Sequence, residues 1–99
     1  MTISSTIRDN QAVLQIDGRV DTNTSPQLQS AILSAFQKST YIVLDFAKVP
    51  YISSAGLRAL LLGQKTANSK HATMELIHVC PAVMQVLQAV GFADILTIH

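Results

Sequence analysis

The run Tyr41-Ile-Val-Leu-Asp-Phe46 is apolar except for Asp45, and such continuity is the pattern of a strand covered on both faces. The elements around it have to build that cover. Upstream, Ile3, Ser5 and Ile7 alternate with Thr2, Ser4, Thr6 and Arg8, which predicts a half-exposed strand. Asp9-Asn10 is turn chemistry, and Leu14 and Ile16 alternate with Gln15 and Asp17 on a return strand closed by Gly18. A polar stretch ends in Ser25-Pro26, an N-cap followed by proline at the first helical position. Leu28, Ala31, Ile32, Ala35 and Phe36 then recur at helical spacing.

Downstream, Lys48 to Tyr51 reads as a connector, and a helix follows from Ser53 to about Asn68. Thr73 to Val79 reads as a strand, Pro81 opens a short helix that Gly91 stops in a left-handed conformation, and Ile95 to Ile98 fits a short last strand. The order is β-β-α-β-α-β-α-β. A hairpin followed by βα units implies an α/β fold with a mixed sheet covered by helices, read here as one domain over residues 1–99.

Bulk properties remove several function classes. The seven basic residues are scattered singly and the formal charge is +1, so no cationic face is available to neutralise phosphates of nucleic acid. The longest uncharged apolar run, Ala59 to Gly63, is far short of a membrane span, and the first residues lack the basic and apolar sections of a signal peptide. With one cysteine there is no internal disulfide framework. The expected location is cytoplasmic. His78 and Cys80 share a face, but no third ligand is near in sequence where a structural zinc site wants four, so neither metal nor cofactor is expected. A serine-hydrolase elbow is excluded because Ile52 stands where a glycine-flanked turn is needed. No glycine-rich phosphate loop exists, and the chain does not read as an enzyme.

Chemistry concentrates at Ile52-Ser-Ser-Ala-Gly-Leu57, where the extended run gives way to a helical pattern. A serine at a helix start ordinarily accepts a hydrogen bond from a free backbone N–H. Here there are two. If Ser53 caps, Ser54 lies in the first turn near the positive end of the helix dipole, where a phosphate would be held by free N–H groups. Capping alone is a sufficient account of the pair on residue chemistry. Ala55 and Gly56 are small either because the helix start packs closely on the sheet or because a partner approaches. Asp21, with Asn23 and Thr24, serves as turn and cap or as a binding loop. Asp45 bonds nearby backbone or orients Ser54, and Arg58 is a solvated helix residue or an anchor for a partner.

The block from Asp45 through Ile52-Ser-Ser-Ala-Gly-Leu-Arg58, with Gly18-Arg-Val-Asp21, Leu44-Asp-Phe46 and Val90-Gly-Phe92, resembles the bacterial STAS domains, and more narrowly the anti-sigma factor antagonists among them. The resemblance covers nearly the whole chain. It implies that Ser54, two positions before Gly56, is the phosphoacceptor, with Ser53 a less favoured one. It implies a partner that is both anti-sigma factor and serine kinase, of the histidine-kinase-like ATPase fold, bound by the unmodified protein and released on phosphorylation. It also implies a PP2C-type phosphatase that reverses the step. Asp21, Asn23, Thr24, Ser53, Ala55, Gly56 and Arg58 then become candidate partner contacts. Two positions depart from the commonest family pattern: Ser53 stands where an aspartate often precedes the phosphoserine, and Ala55 where a hydroxyl residue often follows it. The alternative is a constitutive scaffold STAS domain of a transporter or sensor complex, whose serines only cap.

Overall fold

The computed structural model describes residues 1–99. Strands β1 (Thr2–Arg8) and β2 (Gln11–Asp17) form the expected hairpin, in register from Thr2↔Asp17 to Arg8↔Gln11. Its two-residue turn has both Asp9 and Asn10 at positive φ, 48° and 70°. That is the conformation of a type I′ turn, which Asp and Asn tolerate better than most side chains. Helix α1 (Ser25–Phe36), strand β3 (Tyr41–Lys48), helix α2 (Ser54–Ser69), strand β4 (Thr73–Ile77), helix α3 (Pro81–Ala89) and strand β5 (Thr97–Ile98) follow. The sheet order is β1-β2-β3-β4-β5, antiparallel between β1 and β2 and parallel thereafter.

Sequential parallel strands joined by crossovers of one hand put every helix on the same side. The core confirms this. Ala12, Leu14 and Ile16 of β2, Ile42, Leu44 and Phe46 of β3, and Met74 and Leu76 of β4 share one cluster with Leu28 and Ile32 of α1, Leu57 and Leu60 of α2, and Val83 and Leu87 of α3. The residues between them, such as Val13, Val43 and Glu75, stay outside it. The expected two-sided cover of β3 is therefore not found. Val43 is buried by its neighbours in the sheet, since it lies in register between Val13 and Glu75, and side chains directly opposite across strands touch.

Other boundaries move for local reasons. Strand β3 runs two residues beyond Phe46, to Lys48, which pairs with Asp17 after a bulge in the register. Strand β4 stops at Ile77 rather than Val79, because His78 adopts φ +59° and turns the chain out of the sheet. Gly91 does take the left-handed conformation that ends α3, at φ +79°.

The start of α2 sits against the sheet with no room to spare. A Cβ placed on Gly56 would lie 2.7 Å from side-chain carbons of both Ile52 and Val20. Both side chains are β-branched and buried, so they have few rotamers to retreat into. At Gly63 the nearest atom, at 2.8 Å, is the sulfur of Met74, near the flexible end of its side chain, which can swing aside. The buried Ile32 Cγ2 at 3.1 Å is a milder contact than either of those at Gly56. Overpacking costs about 1–3 kcal/mol, whereas replacing a helical glycine by alanine gains up to about 1 kcal/mol. Urea unfolding should accordingly show Gly56→Ala destabilised by roughly 1 kcal/mol or more, with Gly63→Ala closer to wild type.

Candidate functional site

Between β2 and α1, and again between β3 and α2, the chain leaves the sheet and makes one further parallel bridge, Val20↔Ile52. The Val20 amide donates to the Tyr51 carbonyl at 3.0 Å, and the Ser53 amide to the Val20 carbonyl at 2.8 Å. Val20 and Ile52 point into the core, 0% and 3% exposed. Since side chains alternate along an extended segment, Arg19, Asp21, Tyr51 and Ser53 are carried toward the surface. The bridge thus brings the Asp21 loop and the double serine, 32 residues apart in sequence, to one end of the molecule.

Ser53 is the N-cap of α2. It is extended, at φ −94° and ψ 174°, and its hydroxyl accepts from the Gly56 amide at 3.3 Å. Ser54 is the first residue of the helix and is exposed. Its hydroxyl takes no part in the cap, so it remains available at a helix N-terminus. Arg58, one turn on, is exposed as well. Ala55 is half-buried, and Gly56 is buried against Val20 and Ile52. Packing accounts for the glycine, and no partner is needed to explain it.

The Asp21 loop corrects the expected cap of α1. Ser25 lies inside the helix, 7% exposed, and Thr24 before it already has helical angles with no side-chain capping bond. The cap is Asp21. Its Oδ1 accepts from the Asn23 amide at 2.9 Å and the Thr24 amide at 3.0 Å. The Thr24 hydroxyl in return accepts from the Asp21 amide at 2.9 Å and donates to the Arg19 carbonyl at 2.8 Å. The Ser25 amide closes a helical turn on the Asp21 carbonyl at 2.8 Å. This is reciprocal capping, displaced four residues upstream of Ser25. The donated Thr24 amide outweighs partial burial and holds the Asp21 carboxyl below its ordinary range. One carboxylate oxygen of Asp21 is thereby committed to the loop, and Asn23 remains exposed at its tip.

Asp45 does not reach toward Ser54. Its Oδ1 accepts from the Ala47 amide at 3.0 Å and pairs with His78 Nδ1 at 2.9 Å, on the helix-free face of the sheet. His78 and Cys80 likewise diverge, since the Cys80 thiol donates to the Val49 carbonyl at 3.5 Å. On the same open face Glu75 meets Tyr41 and, at 3.2 Å, His99 Nε2.

Two residues beside the serines escaped the sequence reading. Arg19 lies over Tyr51, its guanidinium carbon 4.2 Å from the ring centroid. The signal was present but faint: each stands two positions before a residue already singled out, Asp21 and Ser53. None of the four surface depressions is lined by Asp21, Ser53, Ser54 or Arg58. The site is open surface and not a pocket, a form suited to meeting another macromolecule more than to enclosing a small one.

The model of the STAS domain family matches residues 2–99. The chain belongs to the STAS domain family. A Bordetella bronchiseptica relative, BtrV, named as a candidate anti-sigma factor antagonist, is 31% identical over 88 residues, which is 88% of this chain and 76% of BtrV. Among solved structures, a candidate anti-sigma factor antagonist from Thermotoga maritima superposes with TM-score 0.89 at 17% identity, covering 97% of this chain and 84% of its own. The anti-sigma factor antagonist SpoIIAA in its unphosphorylated form gives 0.77 at 19% identity, covering 99% and 87%; the phosphorylated form of the same Bacillus protein gives 0.76. The fold also occurs in a sulfate transporter family protein from Wolinella succinogenes, at 0.78 and 18% identity, over 90% of this chain and 73% of that one. At these identities the structures establish the fold of this STAS domain and nothing finer. No helix in it is long and apolar enough to cross a membrane.

Two measurements separate the side chains of the site. Loss of an N-cap hydroxyl costs about 0.5–2 kcal/mol, so Ser53→Ala should lower unfolding stability within that range while Ser54→Ala stays within about 0.5 kcal/mol of wild type. Asp45 gives a pH test. Burial raises its carboxyl, but the Ala47 amide and His78 together lower it further, so the net shift is downward. A carboxyl whose folded value lies below its unfolded one stabilises the fold above the unfolded value, about 4, and the contribution fades as pH falls through the folded value. Asp45→Asn should be less stable than wild type at neutral pH, and the difference should shrink toward pH 2 in thermal melts.

Proposed function

We propose that this STAS domain is a non-enzymatic, cytoplasmic anti-sigma factor antagonist whose binding is switched by phosphorylation of Ser54. The partner is a serine kinase of the histidine-kinase-like ATPase fold that doubles as the anti-sigma factor, and a PP2C-type phosphatase resets the switch. The observation that carries this reading is the division of labour at the helix start. Ser53 does the capping, which leaves Ser54 exposed and uncommitted beside the Asp21 loop. The name of the BtrV relative supports the same class of function.

Magnitudes decide how such a switch has to work. Turning a 1:99 equilibrium into 99:1 takes about 5.5 kcal/mol of differential free energy. A phosphate on Ser54 gains only about 0.3–1 kcal/mol from the helix dipole, and that term favours the phosphorylated protein without disrupting any contact. Rearrangement of the domain is therefore a poor source of the switch. A group carrying roughly −1.5 to −2 charges, pressed into an interface, brings steric clash, desolvation and like-charge repulsion worth several kcal/mol. Ser54 must lie within the contact surface, with Asp21, Asn23, Thr24, Ser53, Ala55 and Arg58 around it.

Wild type, Ser54→Ala and Ser54→Asp should be used as baits in extracts of the native host. Retention of an ATPase-fold kinase by wild type and Ser54→Ala, and its loss with Ser54→Asp, is the expected outcome. Equal retention by all three would instead favour a constitutive scaffold role, the reading to which the transporter neighbour lends fold-level support.

A further inference from the structure

We propose that the Arg19–Tyr51 stack is an anchor for the partner, built to receive a carboxylate from it. This rests on the reading that the partner docks over Ser54. The Val20↔Ile52 bridge sets Arg19 and Tyr51 side by side, and Tyr51 leads within two residues to the capping serine. The guanidinium stands 4.2 Å from the ring centroid, while Tyr51 is still 40% exposed. Arg19 has no acidic partner within ion-pairing distance, since the ion pairs of this chain are His78–Asp45 and His99–Glu75. Asp17 and Asp21 each lie two positions from Arg19 and neither pairs with it; Asp21 feels the guanidinium's charge but spends Oδ1 on the amides of its own loop. The Arg19 backbone is pinned too, because its carbonyl accepts the Thr24 hydroxyl.

A guanidinium held over an aromatic ring with its donors unmet has already lost much of the freedom that binding would otherwise remove. Its planar fork matches a carboxylate in a bidentate pair, and Arg and Tyr are over-represented among residues that dominate interface energies. An acidic side chain of the partner fits this geometry. The same arrangement sharpens the switch: a phosphate on Ser54 puts negative charge at the end of the molecule where that carboxylate has to sit.

The test uses the kinase retained by wild type in the host extract, purified, and measures affinity by calorimetry at several salt concentrations. Arg19→Glu should weaken binding at least tenfold. Arg19→Gln should weaken it less and flatten the dependence of affinity on salt, because one charge contact is gone. A carboxylate-to-arginine change at the partner residue facing the site should restore Arg19→Glu and not wild type. Melting temperatures of the Arg19 variants should stay within a few degrees of wild type, since an exposed stack contributes little to folding, which separates docking from folding. If Arg19→Glu and Arg19→Gln bind within twofold of wild type while Ser54→Asp still abolishes binding, the anchor is disproved and the switch stands. If Arg19→Glu weakens binding but Arg19→Gln changes neither affinity nor salt dependence, the loss is repulsion alone and the anchor is again disproved. If wild type retains no kinase, the functional reading fails and the anchor with it.

Discussion

The contact on which the rest of this molecule depends is the close approach of the α2 start to Val20 and Ile52. Gly56 permits it, since any Cβ there would overlap both side chains. Two consequences follow from one packing event. The helix is seated on the core through Leu57 and Leu60, both in the main cluster. The same seating lets residues 20 and 52 bridge, which carries the Asp21 loop to the double serine. Burying a Val and an Ile side chain is worth about 1.5–3 kcal/mol each. The position of the surface site is thus set by hydrophobic packing beneath it together with the two backbone bonds of the bridge.

Division of labour is the recurring theme at that surface. Ser53 and Asp21 satisfy backbone donors at the starts of α2 and α1, which is a structural duty. Ser54, Arg19 and Arg58 are left without such duties. A rigid frame presenting uncommitted polar groups is what a modification site or docking surface requires, because the frame tolerates a change of charge on its periphery without unfolding.

The one-sided arrangement of helices has a chemical corollary on the opposite face. An open sheet face cannot be apolar throughout without inviting association. Here Tyr41, Asp45, Glu75, His78 and His99 supply polar cover. The Tyr41 hydroxyl, donated to Glu75, outweighs partial burial and lowers that carboxyl, and His99 adds to the effect. Asp45, a single interruption in an apolar run when read along the chain, is one of a set when read across the strands.

The sequence by itself determined the order of elements, the hairpin turn, the helix faces and the double serine. Each of these is written in local periodicity or in the φ preference of a few residues such as Asp9, Asn10 and Gly91. The capping role of Ser53 was legible for the same reason, since a cap acts over three residues. The cap of α1 was not. Ser25-Pro26 is a strong local signal, yet the reciprocal bonds of Asp21 and Thr24 start the helical turn four residues earlier. Only the tertiary structure decided that β3 has one helix-free face, because an apolar run reports burial without saying what provides it. It alone paired Asp45 with His78, 33 residues away, and set Arg19 over Tyr51. Contacts between side chains so far apart in sequence leave no period and no spacing, and they exist only once the sheet has fixed which segments lie side by side.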